Sequence, residues 1–189
     1  MGRNKLYFNR KEEIMNKDNE KELFPIVDEQ GNIIDAATRG ECHDGSKRLH
    51  PVVHLHLFDK EGRLYLQKRP DWKDIQPGKW DTAVGGHVDL GENIYQALER
   101  EAKEELGLTV SDPELLRQYV FESDRERELV NAFKMVTDEE PHPSDELDGG
   151  RFWTKEEIAE NLGKGVFTPN FESEYQMLFQ DYPPTIKSY

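Results

Sequence analysis

Glu101, Glu104 and Glu105 lie within the segment GGHVDLGENIYQALEREAKEELGL, Gly85 to Leu108, which has the apolar spacing of a helix entered from a glycine loop. At about 100° per residue, Ile94, Leu98, Ala102 and Leu106 form one stripe that should face the core. Glu105 projects between Ile94 and Leu98, on the arc that turns inward, where a solvated acidic face would not be placed. Carboxylates at i, i+3 and i+4 repel one another by roughly several tenths of a kcal/mol per pair, and burial aggravates the repulsion unless cations compensate. A divalent metal would compensate, and an all-oxygen ligand set selects Mg²⁺ or Mn²⁺ over zinc. Ala97, one turn before Glu101, is expected to leave space beside such a metal. The competing reading is an ordinary solvated face of a glutamate-rich helix, which is how Glu99 is read, so the flanking residues must decide.

Local signals position this helix. Asn93 is a suitable N-cap with Gln96 at capping-box spacing, and Gly107 supplies the stop. Upstream, LFPIVDEQGNIIDAATR reads as two strands around a turn at Glu29 to Asn32, and further strands are expected at Val52 to Phe58, Leu64 to Lys68 and Trp80 to Val84. Downstream, LRQYVFES, LVNAFKMV and GGRFWT read as strands, while KEEIAENLG and FESEYQMLFQDY read as closing helices. This order suggests an α/β fold in which helices pack on a mixed β-sheet. Residues 1–21 are too charged to bury a face and read as a polar, mobile tail in which Met15 is a candidate start; the domain is expected over residues 22–189.

Bulk properties narrow the chemistry. A chain of 189 residues suits one domain, and 39 acidic against 25 basic residues give a formal charge of −14, which argues against broad binding to nucleic acid or an anionic membrane. An anionic ligand would need a local cationic pocket or a metal. Cys42 is the one cysteine, so there is no disulfide framework or thiolate zinc site, and the expected compartment is the cytoplasm. Neither a signal peptide nor a membrane-spanning run is apparent.

Gly86, five residues, Glu92, seven residues, then Arg100, Glu101, Ala102, Lys103, Glu104, Glu105, Leu106, Gly107 and Leu108 resemble the Nudix box Gx5Ex7REUxEExGU at every specified position. The resemblance implies a Nudix α/β/α sandwich and a hydrolase that cleaves a small-molecule diphosphate, such as a nucleoside diphosphate linked to a group X. It further implies Glu101, Glu104, Glu105 and the carbonyl of Gly86 as metal ligands, Glu92 as the partner of Arg100, and Glu104 or Glu105 as general base.

The longer run from Leu49 to Glu92 is similar to isopentenyl-diphosphate isomerases of the same superfamily. That comparison places His43, His50 and His87, with Glu126 and Glu128, where the isomerases hold a metal, and Arg69 and Lys73 where they grip the diphosphate. Two departures argue against the isomerase itself. Gly85 stands where that family has its catalytic cysteine, with Cys42 too distant in sequence to replace it, and the three helix glutamates are all retained. The expected protein is an isomerase-like Nudix hydrolase.

Blander readings accompany these. Single histidines are more often satisfied core or surface groups, and His54 and His56 read as ordinary positions in a strand. Glu126 and Glu128 share one face of an extended segment, so a solvated edge would also explain them. Arg69 and Lys73 could be plain loop charges, although a cation pair beside a metal site makes a phosphate clamp. Trp72 and Trp80 read as packing residues, and Phe121 is undecided. Three functions are carried forward: a Mg²⁺-dependent diphosphatase, an isomerase working without cysteine, and a non-catalytic binding module. A homodimer is compatible with all three, and the identity of X is left open.

Overall fold

A computed structural model describes residues 20–73 and 76–180. Most of the expected tail, Met15 included, lies outside the described residues. Among the described residues there are nine strands: β1 Leu23–Val27, β2 Ile33–Thr38, β3 Leu49–Phe58, β4 Leu64–Lys68, β5 Trp80–Thr82, β6 Val84–His87, β7 Glu114–Glu122, β8 Arg127–Val136 and β9 Gly150–Trp153. The helices are α1 Arg39–Cys42, α2 Ile94–Leu106, α3 Lys155–Asn161 and α4 Pro169–Tyr175, the last continued by a π-type turn, Gln176–Gln180.

β1 and β2 form a separate antiparallel hairpin. The other strands make one mixed sheet whose main path is β5-β4-β3-β8-β7, with β6 added to β3 and β9 to β4. The parallel β3–β8 pair runs in register from Leu49↔Arg127 to Phe58↔Val136, whereas the remaining pairings are antiparallel.

Alternation along β3 assigns its two faces to different layers. Val53, Leu55 and Leu57 bury with Leu98, Ala102 and Leu106 of α2. Leu64 and Leu66 of β4 bury on the opposite side with Ile158 of α3 and Phe171 and Tyr175 of α4. Helices therefore cover both faces of the sheet, giving the expected α/β/α sandwich. No helix among the described residues is long and apolar enough to cross a membrane.

The caps of α2 explain its boundaries. Asn93 accepts from the backbone N–H groups of Tyr95 and Gln96, Gln96 returns a bond to the Asn93 N–H, and Gly107 closes the helix at φ 66°. Ala97 departs from expectation: it is 0% exposed and belongs to the apolar core, so its small side chain permits close packing on the sheet instead of clearing space beside a metal. The expected strand Trp80 to Val84 is also split, because Ala83 separates β5 from a second strand built on the glycine loop.

Candidate active site

The glycine loop is held as a strand by its neighbour. β6 pairs with β3 through Leu55↔Val84, His54↔Gly85, Val53↔Gly86 and Val52↔His87, and the chain then turns through residues 88–93 into α2. This places Gly85 and Gly86 beside the inward-facing edge of the helix. A cleft of about 690 Å³ opens there, lined by Gly85, Gly86, His87, Arg100, Glu101, Glu104, Glu105, Glu126 and Glu128, and by Arg69 and Lys73.

Arg100 organises the loop. Its Nε donates to Glu92 Oε1 at 2.8 Å and its Nη2 to Glu92 Oε2 at 2.9 Å, a two-pronged pairing. Nη2 also reaches the carbonyl of His87 at 2.9 Å, and Nη1 reaches Glu101 Oε1 at 2.6 Å. Glu92 completes the brace by accepting from the Asp89 N–H at 3.1 Å. Loop and helix are thus tied through one guanidinium.

The carboxylates behind this brace carry poorly compensated charge. Burial pushes the Glu101 carboxyl up to about 7, against the pull of Arg100 and with help from Glu104 and Asp89. Glu105 is raised well above the ordinary carboxylate value, first by burial and then by Glu101, Glu146 and Asp81. Its Oε2 accepts weakly from Gln67 Nε2 at 3.3 Å and Gly85 N–H at 3.4 Å. The side chain of Glu104 is more than half exposed at the cleft mouth. Glu128 is also held up to about 7, by burial and by Glu126, with His54 opposing. These oxygen donors fit a hard divalent cation, and the absence of a Cβ at Gly86 preserves the approach of Glu101 to the loop.

The histidines form a second candidate metal centre. His43 follows α1, His50 lies on β3 and His87 ends β6, and one ligand nitrogen from each lies within 4.8 Å of the others. Among the described residues this is the one group of three or more potential ligands gathered so closely. His43 Nε2 stands 3.2 Å from His87 Nε2 and 3.3 Å from Glu126 Oε2. His50 Nδ1 donates to the Arg48 carbonyl at 2.9 Å, leaving a buried Nε2 without a partner. Burial lowers the affinity of His50 and, more strongly, His87 for protons. Neutral imidazoles with an orphaned nitrogen fit a borderline transition metal. Phe24 of β1 covers the cluster, stacking on His87 at 4.5 Å between ring centroids.

Other expectations meet mixed outcomes. Glu126 falls in the turn before β8 while Glu128 lies on the strand, yet both line the cleft. Arg69 is 3.5 Å from Asp81, and Lys73 stands 5.1 Å over the ring of Trp72. Trp72 is exposed, whereas Trp80 packs on Trp153; neither lines the cleft. Cys42 is buried with Phe24, Ile26 and Ala37, its thiol pushed up to about 11 by burial, and is no substitute for a thiol at position 85.

His54 and His56 are not ordinary strand positions: both hydrogen-bond to Glu174, and His54 lines the cleft. The available signal was two histidines sharing one face of an otherwise apolar strand, which calls for a buried polar partner. Gln67, which reaches Glu105, and Asp81, which pairs with Arg69, also line the cleft without a motif to mark them.

A family model described as NUDIX domain matches residues 48–171. An uncharacterized Nudix hydrolase of Listeria innocua, lin0387, is 34% identical over 125 residues, or 65% of this chain and 74% of that protein. An isopentenyl-diphosphate Delta-isomerase of Streptomyces griseus is 32% identical over 159 residues, 79% of each chain. The crystal structure of DR0079 from Deinococcus radiodurans has the same fold, with a TM-score of 0.71 at 22% identity over 84% of this chain and 99% of that one.

Proposed function

Because the chain belongs to the Nudix family, we propose that it hydrolyses the diphosphate linkage of a small metabolite, a nucleoside diphosphate joined to a group X or a related compound, with Mg²⁺ or Mn²⁺. The observation that carries this reading is the half-buried pair Glu101 and Glu105 beside Gly86, whose charge calls for a divalent cation at the same cleft that Arg69 and Lys73 line. Gly86 would add its carbonyl, and Glu104 and Glu128 would complete the ligand sphere. When bound, the cations supply charge neutralisation of the diphosphate and activation of water.

The chain's own groups do the rest. Arg69 and Lys73 hold the diphosphate. Arg100, braced by Glu92, keeps Glu101 and the loop in register. Glu105, at the inner end of the cleft, accepts a proton from the attacking water, while Glu104 is the more exposed candidate for the same task. Cys42, single and buried, accords with a reducing cytoplasm.

The test is a screen of diphosphate-linked metabolites with Mg²⁺ and Mn²⁺, including isopentenyl diphosphate. Hydrolysis of one class, abolished by Glu105→Gln with the circular dichroism spectrum unchanged, is the expected outcome. A fully active Glu105→Gln protein rejects the assignment, and tight binding without turnover would identify a binding module.

The similarity to the Streptomyces isomerase and the histidine cluster favour one second reading, an isomerase-like enzyme with a transition metal at His43, His50, His87, Glu126 and Glu128. Gly85 supplies no side chain for proton transfer to carbon, so rearranged isopentenyl diphosphate in the product analysis would be required to sustain it.

A further inference from the structure

On the face of β3 opposite α2, His54 and His56 project toward α4, and Glu174 of that helix lies between them. Glu174 is only 1% exposed. A carboxylate so deep is costly unless its oxygens are satisfied, and three donors satisfy it. His54 Nδ1 donates to Oε2 at 2.6 Å, Tyr119 OH to the same oxygen at 3.1 Å, and His56 Nε2 to Oε1 at 3.0 Å. Burial opposes its ionisation, but the charge and hydrogen bonds of His54 and His56 hold the Glu174 carboxyl well below the usual range.

His56 is fully enclosed, but the side chain of His54 remains 19% exposed and lines the cleft. With Nδ1 committed to Glu174, Nε2 makes no hydrogen bond among the described residues. Position 85 decides whether that nitrogen is covered. A Cβ there would sit 3.6 Å from His54 Cδ2 and 3.9 Å from Nε2, in van der Waals contact with the ring edge. Glycine leaves that edge open, and any longer side chain would extend from a point already touching the imidazole.

We propose that His54 Nε2–H, aimed by Glu174 and uncovered by Gly85, donates a hydrogen bond to a phosphoryl oxygen of the bound diphosphate. His54 is then a substrate-binding residue and Glu174 a positioning residue acting through it. Charge supports the assignment. Burial disfavours the imidazolium, but the charge and hydrogen bond of Glu174, with Glu128 and Asp81, outweigh it and carry the group up to about 9. The 2.6 Å ion pair with Glu174 favours the cationic ring, in which both nitrogens carry protons, and charge strengthens a bond to phosphate. It adds a donor to the cleft that Arg69 and Lys73 line, where Arg100 is already engaged by Glu92 and Glu101.

The inference rests on the diphosphatase reading, and its test separates the two. Full-length protein carrying ¹⁵N-labelled histidine is titrated with methylenediphosphonate, a non-hydrolysable diphosphate, in Mg²⁺. The His54 Nε2 resonance is expected to shift while that of His56 stays in place. His54→Gln is expected to weaken diphosphonate binding about ten- to a hundredfold, the loss typical of one charged hydrogen bond. Gly85→Cys should also weaken it, and Glu174→Gln should lower the pH at which His54 titrates. Wild-type binding without a His54 shift, or equal binding by His54→Gln, overturns this inference alone. A wild-type protein that neither binds the diphosphonate nor cleaves any diphosphate overturns both readings. The wild-type titration decides the matter if a variant fails to fold.

Discussion

Glu101 lies so close against Gly86 that a Cβ built on the glycine would collide with the carboxyl carbon and Oε1 of the glutamate. The requirement for glycine here comes from that close approach, because Gly86 is absent from the residues with positive φ. Gly86→Ala must push the Glu101 carboxylate off the loop. The expected result is a loss of Mg²⁺ affinity of about 10- to 100-fold, the scale seen when groups that orient metal ligands are disturbed, with the overall fold retained. Calorimetric titration of Mg²⁺ into the variant measures this, and wild-type affinity would contradict it.

Arg100 and Glu92 make a different prediction, because their pairing joins the loop to the helix by two parallel bonds. Lysine at position 100 keeps the charge but cannot grip both Glu92 oxygens, the His87 carbonyl and Glu101 together. Arg100→Lys should cost on the order of 2 kcal/mol of stability. It should also lower kcat more than it raises KM, since the proposed diphosphate clamp at Arg69 and Lys73 is untouched. Chemical denaturation and steady-state kinetics give the two numbers; a variant with unchanged kcat would remove the bracing role.

These two relationships also mark how far the sequence could be read. The boundaries of α2 were legible because Asn93, Gln96 and Gly107 act within a few residues of themselves. The brace was legible because Glu92 and Arg100 share one short motif. β6 was not, since Gly85 and Gly86 have little strand preference and owe their extension to pairing with β3. Ala97 was misread because the helix buries a wider arc against the sheet than its four-residue apolar stripe suggests. The alternation of His54 and His56 on one strand face signals a buried polar partner, but the identity of that partner was not legible, because Glu174 lies 120 positions away in sequence.

The Glu174–His54 pair should leave a trace in stability. His54 has a folded-state value of about 9 against an ordinary 6.5, so its contribution is complete below pH 6.5 and disappears as pH rises through about 9. Glu174, depressed in the folded state, contributes above its ordinary 4.5 and loses that contribution as pH falls toward its low folded-state value. The pair is therefore most stabilising between pH 4.5 and 6.5. A decline on the order of 3 kcal/mol across the alkaline side is expected from the His54 shift. Denaturation of wild type and His54→Gln at pH 6 and pH 9.5 should show a smaller decline in the variant, and parallel pH profiles would refute the coupling.

Metal binding should reverse a pH trend set by the helix carboxylates. Glu101 is raised from 4.5 to about 7 in the folded chain, so protonation favours the fold below pH 4.5 and that advantage is lost as pH rises through 7. Glu105 acts in the same direction. Metal-free protein should therefore lose on the order of 3 kcal/mol between pH 4.5 and 8 from Glu101 alone. On the proposed reading Mg²⁺ binds the ionised carboxylates, so its stabilisation of the fold should be larger at pH 8 than at pH 5.5. At pH 6.5, binding should release protons, seen as a dependence of the calorimetric heat on the buffer's ionisation enthalpy. Glu101→Gln should reduce that release. Equal Mg²⁺-induced shifts in Tm at the two pH values, with heat independent of buffer, would show that these glutamates do not hold the metal.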